Sequence, residues 1–356
     1  MPPRGSGWVK KPDYTSIRKQ LIKCNCIDDN TGFTILNLRS KDIFISKSDN
    51  TIMIIFQDFK RIFNLRSKDN IFSLKKLSLK TDHLDHIELL SQLRYLEILD
   101  LSRNELTSLS SEIRKLTRLT TLNLSHNQLT NLPSEIGNLT SLIQLNLSCN
   151  QLENLPSEIR KLTRLTTLNL SYNNKLTSLP SEIGKLTNLS QLYLINNKLT
   201  SLPSEICNLT NLIHLNLYNN KLTNIPSEIG KLTNLTHLDL SDNKLTSLLS
   251  EICNLTNLTT LNLGLNKLTN LPYEIGNLTS LIWLNLNCNE LTNVLSEIGK
   301  LTNLTRLYFN SNKLTNISSE IGKLTNLTKL DLRDNKLTNE FKIEINSWLK
   351  NGVVCI

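Results

Sequence analysis

Leu119-Thr-Thr-Leu-Asn-Leu-Ser-His-Asn-Gln-Leu129-Thr-Asn-Leu-Pro-Ser-Glu-Ile-Gly-Asn-Leu-Thr-Ser141 is a stretch of 23 residues whose reading decides the fold. Its first half, with Leu119, Leu122, Leu124, Asn127 and Leu129, follows L-x-x-L-x-L-x-x-N-x-L. The same pattern begins at Leu96 and recurs from Leu142, Leu165, Leu189, Leu212, Leu235, Leu258, Leu281, Leu304 and Leu327. The period is 23 except once, where Asn173-Asn174-Lys175 adds a residue and Leu165 to Leu189 spans 24. A weaker copy from Leu74, with Asp82 in the asparagine slot, brings the total to twelve.

A fixed period of this length is the mark of a stacked array, in which no unit buries its apolar face alone and neighbours complete the core. The Leu-x-Leu step alternates with period two, which is a short strand. Stacked copies pair such strands in parallel about 4.8 Å apart. Asparagine carries both an amide donor and a carbonyl acceptor. At the turn after the strand it can therefore satisfy backbone groups of adjacent coils. In the second half, Pro133 suits the first turn of a helix and Glu135 suits its N-terminus. Gly137 is expected to end the turn in a left-handed conformation. Where proline is lost (Ser110, Leu249, Leu295, Ser318), a less rigid turn is expected. The fold class expected is an α/β repeat solenoid, a horseshoe with a parallel concave sheet and short convex helical or 3-10 turns.

Three regions follow. Residues 74–337 form the solenoid. Residues 338–356 place Phe341, Ile345, Trp348 and Leu349 near helical spacing and read as a C-terminal capping helix. Residues 1–73 differ in kind. They hold six of the eight phenylalanines and 13 basic against 7 acidic residues, so most of the chain's net charge of +9 lies here. Residues 1–16 read as disordered, Ile43–Ile45 and Ile52–Phe56 as strands or buried helix, and the segment as a cap or a small adaptor module. The hexapeptide Asn-Leu-Arg-Ser-Lys-Asp occurs at 37–42 and again at 64–69.

The chain has no alanine and only 5% aromatic residues. No apolar run approaches the roughly 18–20 residues of a membrane helix, and the polar, basic start lacks a signal peptide's apolar region. Seven cysteines, an odd number, fit reduced thiols. A cytoplasmic location is expected. No phosphate loop, nucleophile elbow or metal-spaced Cys/His cluster is present, so no enzyme, cofactor or metal is expected. Cys24 and Cys26 form a lone pair. Cys207 and Cys253 share a slot two coils apart, roughly 10 Å by strand spacing, too far for a disulfide. His214, His237 and Asp239 are the best metal candidate, but as a set they fit a polar contact surface better.

Variation concentrates in the outward strand slots. The slot before the second strand leucine reads Thr121, Gln144, Thr167, Gln191, His214, His237, Thr260, Trp283, Arg306 and Lys329. The next outward slot is mostly Asn or Asp, with Tyr193 and Tyr308 departing, and Tyr172, Ile195, Tyr218 and Leu265 lie just beyond. Tyr172, Tyr193, His214, Tyr218 and His237 are read as one partner-binding patch, and Trp283, Arg306 and Tyr308 as a second. Exposed Trp, Tyr and Arg are the types enriched at binding hot spots. A lysine column (Lys175, Lys198, Lys221, Lys244, Lys267, Lys313, Lys336, interrupted by Glu290) flanks this face, and a glutamate column from Glu112 to Glu205 balances it.

The form Leu-Pro-Ser-Glu-Ile-Gly-x-Leu-Thr-x-Leu resembles the intracellular leucine-rich repeat class that includes Ras-binding scaffold proteins and plant Ras-group repeats. The resemblance covers roughly residues 74–337. It implies a concave protein-binding surface, sometimes for small GTPases or phosphatase subunits. The function expected is thus a non-enzymatic protein-binding scaffold or adaptor in intracellular signalling. The alternatives are a substrate-targeting subunit of a ubiquitin-ligase or other enzyme complex recruited through residues 1–73 and, ranked last, a nucleic-acid binder using the lysine column.

Overall fold

The computed structural model describes residues 35–38 and 76–79 by their backbone, residues 94–339 in full, and Phe341, Ile345 and Val354–Cys355. The strand step of every coil joins one parallel sheet of 14 strands in chain order, from β1 (Ile35–Leu38), β2 (Lys76–Leu79) and β3 (Ile98–Asp100) to β13 (Lys329–Asp331) and β14 (Val354–Cys355). Each strand of the full repeats is three residues long, its leucine buried and its two flanking residues turned outward. The register is constant: Leu122 faces Leu145, and Leu145 faces Leu168. Ten 3-10 turns of five residues, such as Ser134–Asn138, form the other side of the solenoid among the described residues.

The core between the two sides is a column of leucines and isoleucines, most of them fully buried, running from Leu96 to Ile345. Phe309 fills a leucine slot and is equally buried.

The asparagine slot works as its chemistry requires. Asn127 Nδ2 donates to the Leu101 carbonyl of the preceding coil (2.9 Å) and to the Leu124 carbonyl of its own (3.0 Å). Its Oδ1 accepts from the Leu106 N–H (3.0 Å). The arrangement repeats to Asn335. At the extra residue, Asn197 Oδ1 accepts from the Asn173 N–H (3.0 Å), and the Leu176 N–H turns back onto the Asn173 backbone carbonyl (2.9 Å). The insertion is absorbed in the loop, so strand register is kept.

Three expectations about the turns need adjusting. Proline is the N-cap and not the first helical residue: Pro133 is extended at φ −67°, ψ 148°, and the turn starts at Ser134. Its fixed φ suits that extended cap as well as it suits a first turn. Two of the coils without proline gain another cap, the hydroxyls of Ser110 and Ser318 accepting from the Glu112 and Glu320 N–H groups (3.3 Å each). Leu249 and Leu295 provide no side-chain cap. Gly137 is not left-handed. A Cβ there would lie 2.7 Å from the Glu158 carbonyl oxygen, so the residue is small to let the next coil approach. The left-handed residue is instead the one just before the ladder asparagine, at φ 52° to 61° in eleven coils from Arg103 to Asp334.

The sheet also reaches past the expected solenoid limits. β1 pairs with β2 in register, Leu36 against Leu77 and Leu38 against Leu79. Leu36-Asn-Leu38 has the strand alternation, but Lys41 stands in its asparagine slot, which hid the copy. At the other end Asn339, Phe341 and Ile345 are helical, whereas Val354–Cys355 adds a strand opposite Leu330 and Asp331. The remaining expectations for residues 1–73, with Asp82, Trp348 and Leu349, lie outside the described residues. Among the described residues, no helix is long and apolar enough to cross a membrane.

Candidate sheet-face interaction site

The outward strand positions form parallel rows across the sheet because register never slips. Over β4 (Thr121–Asn123), β5 (Gln144–Asn146) and β6 (Thr167–Asn169) these rows are only Thr, Gln and Asn. From β7 (Gln191–Tyr193) onward larger residues enter. His214 on β8 (His214–Asn216) and His237 on β9 (His237–Asp239) are directly opposite. Their rings stack, with centroids 4.2 Å apart and planes 19° apart. The Thr236 hydroxyl lies 2.7 Å from His237 Nδ1. Burial, with a smaller contribution from His214, holds the His237 pKa below its usual value.

This geometry bears on metal binding. Near-parallel stacked imidazoles do not aim their nitrogens at one point. Asp239 is turned to other partners: Oδ1 accepts from Ser241 N–H (2.9 Å) and its hydroxyl (2.5 Å), and Oδ2 accepts from Asn262 Nδ2 (3.2 Å).

The other residues of the first patch are spread around the pair. Tyr193 faces Asn216 across β7 and β8. Tyr218 is in the loop after β8, its N–H held by Asn216 Oδ1 (3.0 Å). Tyr172 occupies the left-handed slot at φ 61° and is 47% exposed. Among the described residues, only the two histidines of this patch are joined by a ring contact.

The second patch is more tightly knit. Trp283 on β11 (Trp283–Asn285) meets Tyr308 on β12 (Arg306–Tyr308) edge to face, centroids 6.1 Å apart at 61°. The row Trp283–Arg306–Lys329 crosses β11, β12 and β13 in register. Lys329 Nζ sits 5.3 Å from the centre of the Tyr308 ring. Beside Lys329, the Arg333 guanidinium forks onto Asp331, Nε to Oδ1 at 2.9 Å and Nη2 to Oδ2 at 2.5 Å. That pair holds the Asp331 carboxyl below the usual range, chiefly through the Arg333 side-chain hydrogen bond. Lys329 and the Asp331–Arg333 fork belong to this cluster but were not singled out in the sequence. Lys329 is visible in the slot row, and only the packing shows that it completes the Tyr308 environment.

The flanks are ordered too. Lys175 pairs with Glu153 (3.4 Å) and Lys313 with Glu290 (2.8 Å). On the other side, Asn188, Asn211, Asn234, Asn257, Asn303 and Asn326 each donate to a threonine carbonyl one coil back, at 2.8–2.9 Å. This second asparagine ladder was not anticipated, although the recurring Thr-Asn-Leu was its signal. Cys207 and Cys253 are buried and unpaired. Burial, reinforced by nearby glutamates, pushes their thiols up to about 11 and about 12. Both therefore stay protonated and unreactive near neutral pH.

A family profile for the leucine-rich repeat region matches residues 37–175, 157–268, 204–316 and 247–348. No curated protein matches in sequence. Among solved structures, an internalin (inlF) from Listeria monocytogenes is 30% identical, with a TM-score of 0.68 over 78% of this chain and 80% of that one. The plant peptide hormone receptor RGFR1, solved in complex with RGF2, is 31% identical with a TM-score of 0.69, over 86% of this chain and 51% of the receptor. The Toll–Spatzle complex from Drosophila is similar at 26% identity and a TM-score of 0.61, over 76% of this chain and 40% of that one.

Proposed function

Since the chain belongs to the leucine-rich repeat family, we propose that it is a non-enzymatic scaffold that holds a protein partner on the outward face of its parallel sheet. The observation that carries this reading is the clustering of large side chains on adjacent coils of a face that is otherwise small and polar. His214 stacks on His237, and Trp283 braces Tyr308, each pair crossing neighbouring strands. Surface drift would scatter such residues over the coils. Aromatic and arginine side chains repay burial in an interface more than other surface types. The RGFR1 and Toll structures, both solved as complexes, support a partner-holding role by likeness.

The finer reading is an adaptor in cytoplasmic signalling, with small GTPases or phosphatase subunits as candidate partner classes. Its support is the resemblance of the repeat itself and the buried, unpaired thiols of Cys207 and Cys253, which suit a reducing compartment.

Affinity purification with the wild-type chain beside Trp283→Ala/Tyr308→Ala tests the proposal. The variant is expected to lose the partner while its thermal unfolding stays close to wild type. An unchanged set of captured proteins with normal unfolding would remove the second patch from the interface.

A further inference from the structure

The sheet face carries few formal charges, and they are not evenly placed. From β4 to β8 the outward strand positions are Thr, Gln, Asn, Tyr and His. Asp239 on β9 is engaged with Ser241 and Asn262. At the far end, Arg306 and Lys329 stand directly opposite each other on β12 and β13. One strand spacing, about 4.8 Å, separates their backbones. Like charges in that relation are destabilising, and no acidic residue of the strand rows lies between them. The acid beside them, Asp331, is closed by its own fork with Arg333. Neither Arg306 nor Lys329 has an ion pair among the described residues, where Arg333, Lys313 and Lys323 each have one. Next to this cation pair are the Trp283 ring and Ile282, which is 46% exposed.

We propose that Trp283, Arg306 and Lys329 form a docking site for an extended acidic peptide segment of a protein partner. One partner carboxylate is seated between Arg306 and Lys329, and an apolar partner side chain packs on Trp283 and Ile282. This rests on the reading of the sheet face as a protein-binding surface and adds the chemistry of the occupant. The guanidinium offers a planar fork and the ammonium a movable point charge, a combination suited to one carboxylate. The spacing agrees. Same-side residues of an extended chain are about 6.6 Å apart, and the midpoint of the Arg306–Lys329 pair lies about 7 Å from Trp283 along the strand stack. An apolar residue followed two positions later by an acid therefore fits the row. Two cations, one of them also over the Tyr308 ring, are too few to follow a nucleic-acid backbone, whose binding depends on many phosphate contacts.

Fluorescence anisotropy with the full chain tests this using three probes: a labelled hexapeptide with leucine and glutamate two positions apart, its glutamine analogue, and a dodecamer of deoxythymidine. The glutamate peptide is expected to bind about tenfold more tightly than the glutamine analogue, the worth of one charge-assisted pair. The preference should shrink as salt rises. Arg306→Gln/Lys329→Gln should erase the preference while leaving the thermal transition in place, and Trp283→Ala should weaken both peptides alike. Equal binding of the two peptides, a preference that survives the double glutamine variant, or tighter binding of the oligonucleotide would overturn the proposal. If the acid preference is absent while Trp283→Ala/Tyr308→Ala still abolishes partner capture, the acidic occupant falls and the protein-binding face stands. The converse pattern removes Trp283 and Tyr308 from partner capture and keeps the face as a site for acidic peptides.

Discussion

Two pairs of coils teach different lessons. Residues 111–125 and 157–171 are identical over fifteen positions, including strands β4 and β6, and their faces are the same Thr and Asn. The first difference is His126 against Tyr172, in the left-handed slot outside the core. The coils of β11 and β12 keep the same apolar and ladder slots, Leu284 against Leu307 and Asn289 against Asn312, with Phe309 in the place of Leu286 and Ile317 in that of Val294. Their faces read Trp and Asn in one, Arg and Tyr in the other. The inward positions are held by packing and backbone satisfaction, so any change there is felt by two neighbours. The outward positions answer only to solvent or to a partner.

The sharpest way to break that contrast is to exchange one residue of each kind. Asn220→Leu strands the Leu199 N–H, now bonded at 3.1 Å, and removes one of the two amide donors from the Leu194 and Leu217 carbonyls (2.8 and 3.0 Å), which keep Asn197 and Asn243. A buried unsatisfied N–H costs about 1–3 kcal/mol and each lost hydrogen bond about 1 kcal/mol, so a loss on the order of 3 kcal/mol is expected in urea unfolding. Trp283→Ala, on the face, should cost less than about 1 kcal/mol. Equal losses would mean that the aromatic patch is structural, not a recognition surface.

The division between framework and face was legible in the sequence because a repeat compares itself with its neighbours. The leucine slots, the strand step and the ladder asparagine followed from periodicity and from the donor and acceptor of one amide. What was not legible depended on distances between coils. Gly137 was read through its own backbone, although its constraint is the Glu158 carbonyl of the next coil. The left-handed slot was hidden because Tyr172, Leu265 and Cys149 occupy it where glycine or asparagine would be the signal. β1 was missed because Lys41 replaces its ladder residue. On the face, the row containing His214, His237, Trp283 and Arg306 could be read. The Tyr308–Lys329 contact and the Asp331–Arg333 fork could not, since they depend on how side chains lean across strands.

Close coil approach gives the next largest effect. At Gly184 an added Cβ would lie 2.4 Å from the Glu205 carbonyl oxygen and 2.8 Å from its Cβ. Overpacking of this kind costs roughly 1–3 kcal/mol. Gly184→Ala should therefore lower the urea midpoint, and a neutral result would show that the 3-10 side yields as freely as the sheet face. Arg160 and Cys207 occupy the same slot in the coils on either side, so the expected loss is smaller than for the ladder.

The left-handed slot should move in the opposite direction. Leu265 sits there at φ 54° and is 46% exposed, so it has backbone strain with little burial in return. A left-handed conformation costs an ordinary L-residue about 1–2 kcal/mol, and asparagine visits it more readily. Leu265→Asn is expected to raise stability by up to about 1 kcal/mol, measured by thermal and urea unfolding. A loss of stability would assign Leu265 to the framework.

The smallest effect is the pH response of the histidine pair. Burial first, and His214 second, keep the His237 pKa below its ordinary value. The unfolded chain therefore takes up a proton there more readily than the folded one. As pH falls through the unfolded value near 6.5, the folded state loses stability relative to the unfolded, and the loss is complete once pH is below the folded pKa. The ring is largely exposed, so the slope should be slight. Gln191 and Tyr193 on β7, Asn216 on β8, and Thr260 and Asn262 of the next strand, β10 (Thr260–Asn262), bring no charge to the pair, and the Asp239 carboxylate is engaged with Ser241 and Asn262. A proton-detected titration should show His237 protonating at lower pH than a histidine in an unfolded peptide. His214→Gln should raise that pKa by removing the neighbouring imidazolium. If His237 titrates at the peptide value in both proteins, the two rings do not sense each other, and this stretch of the face is solvent-like surface of the same kind as β4 to β6.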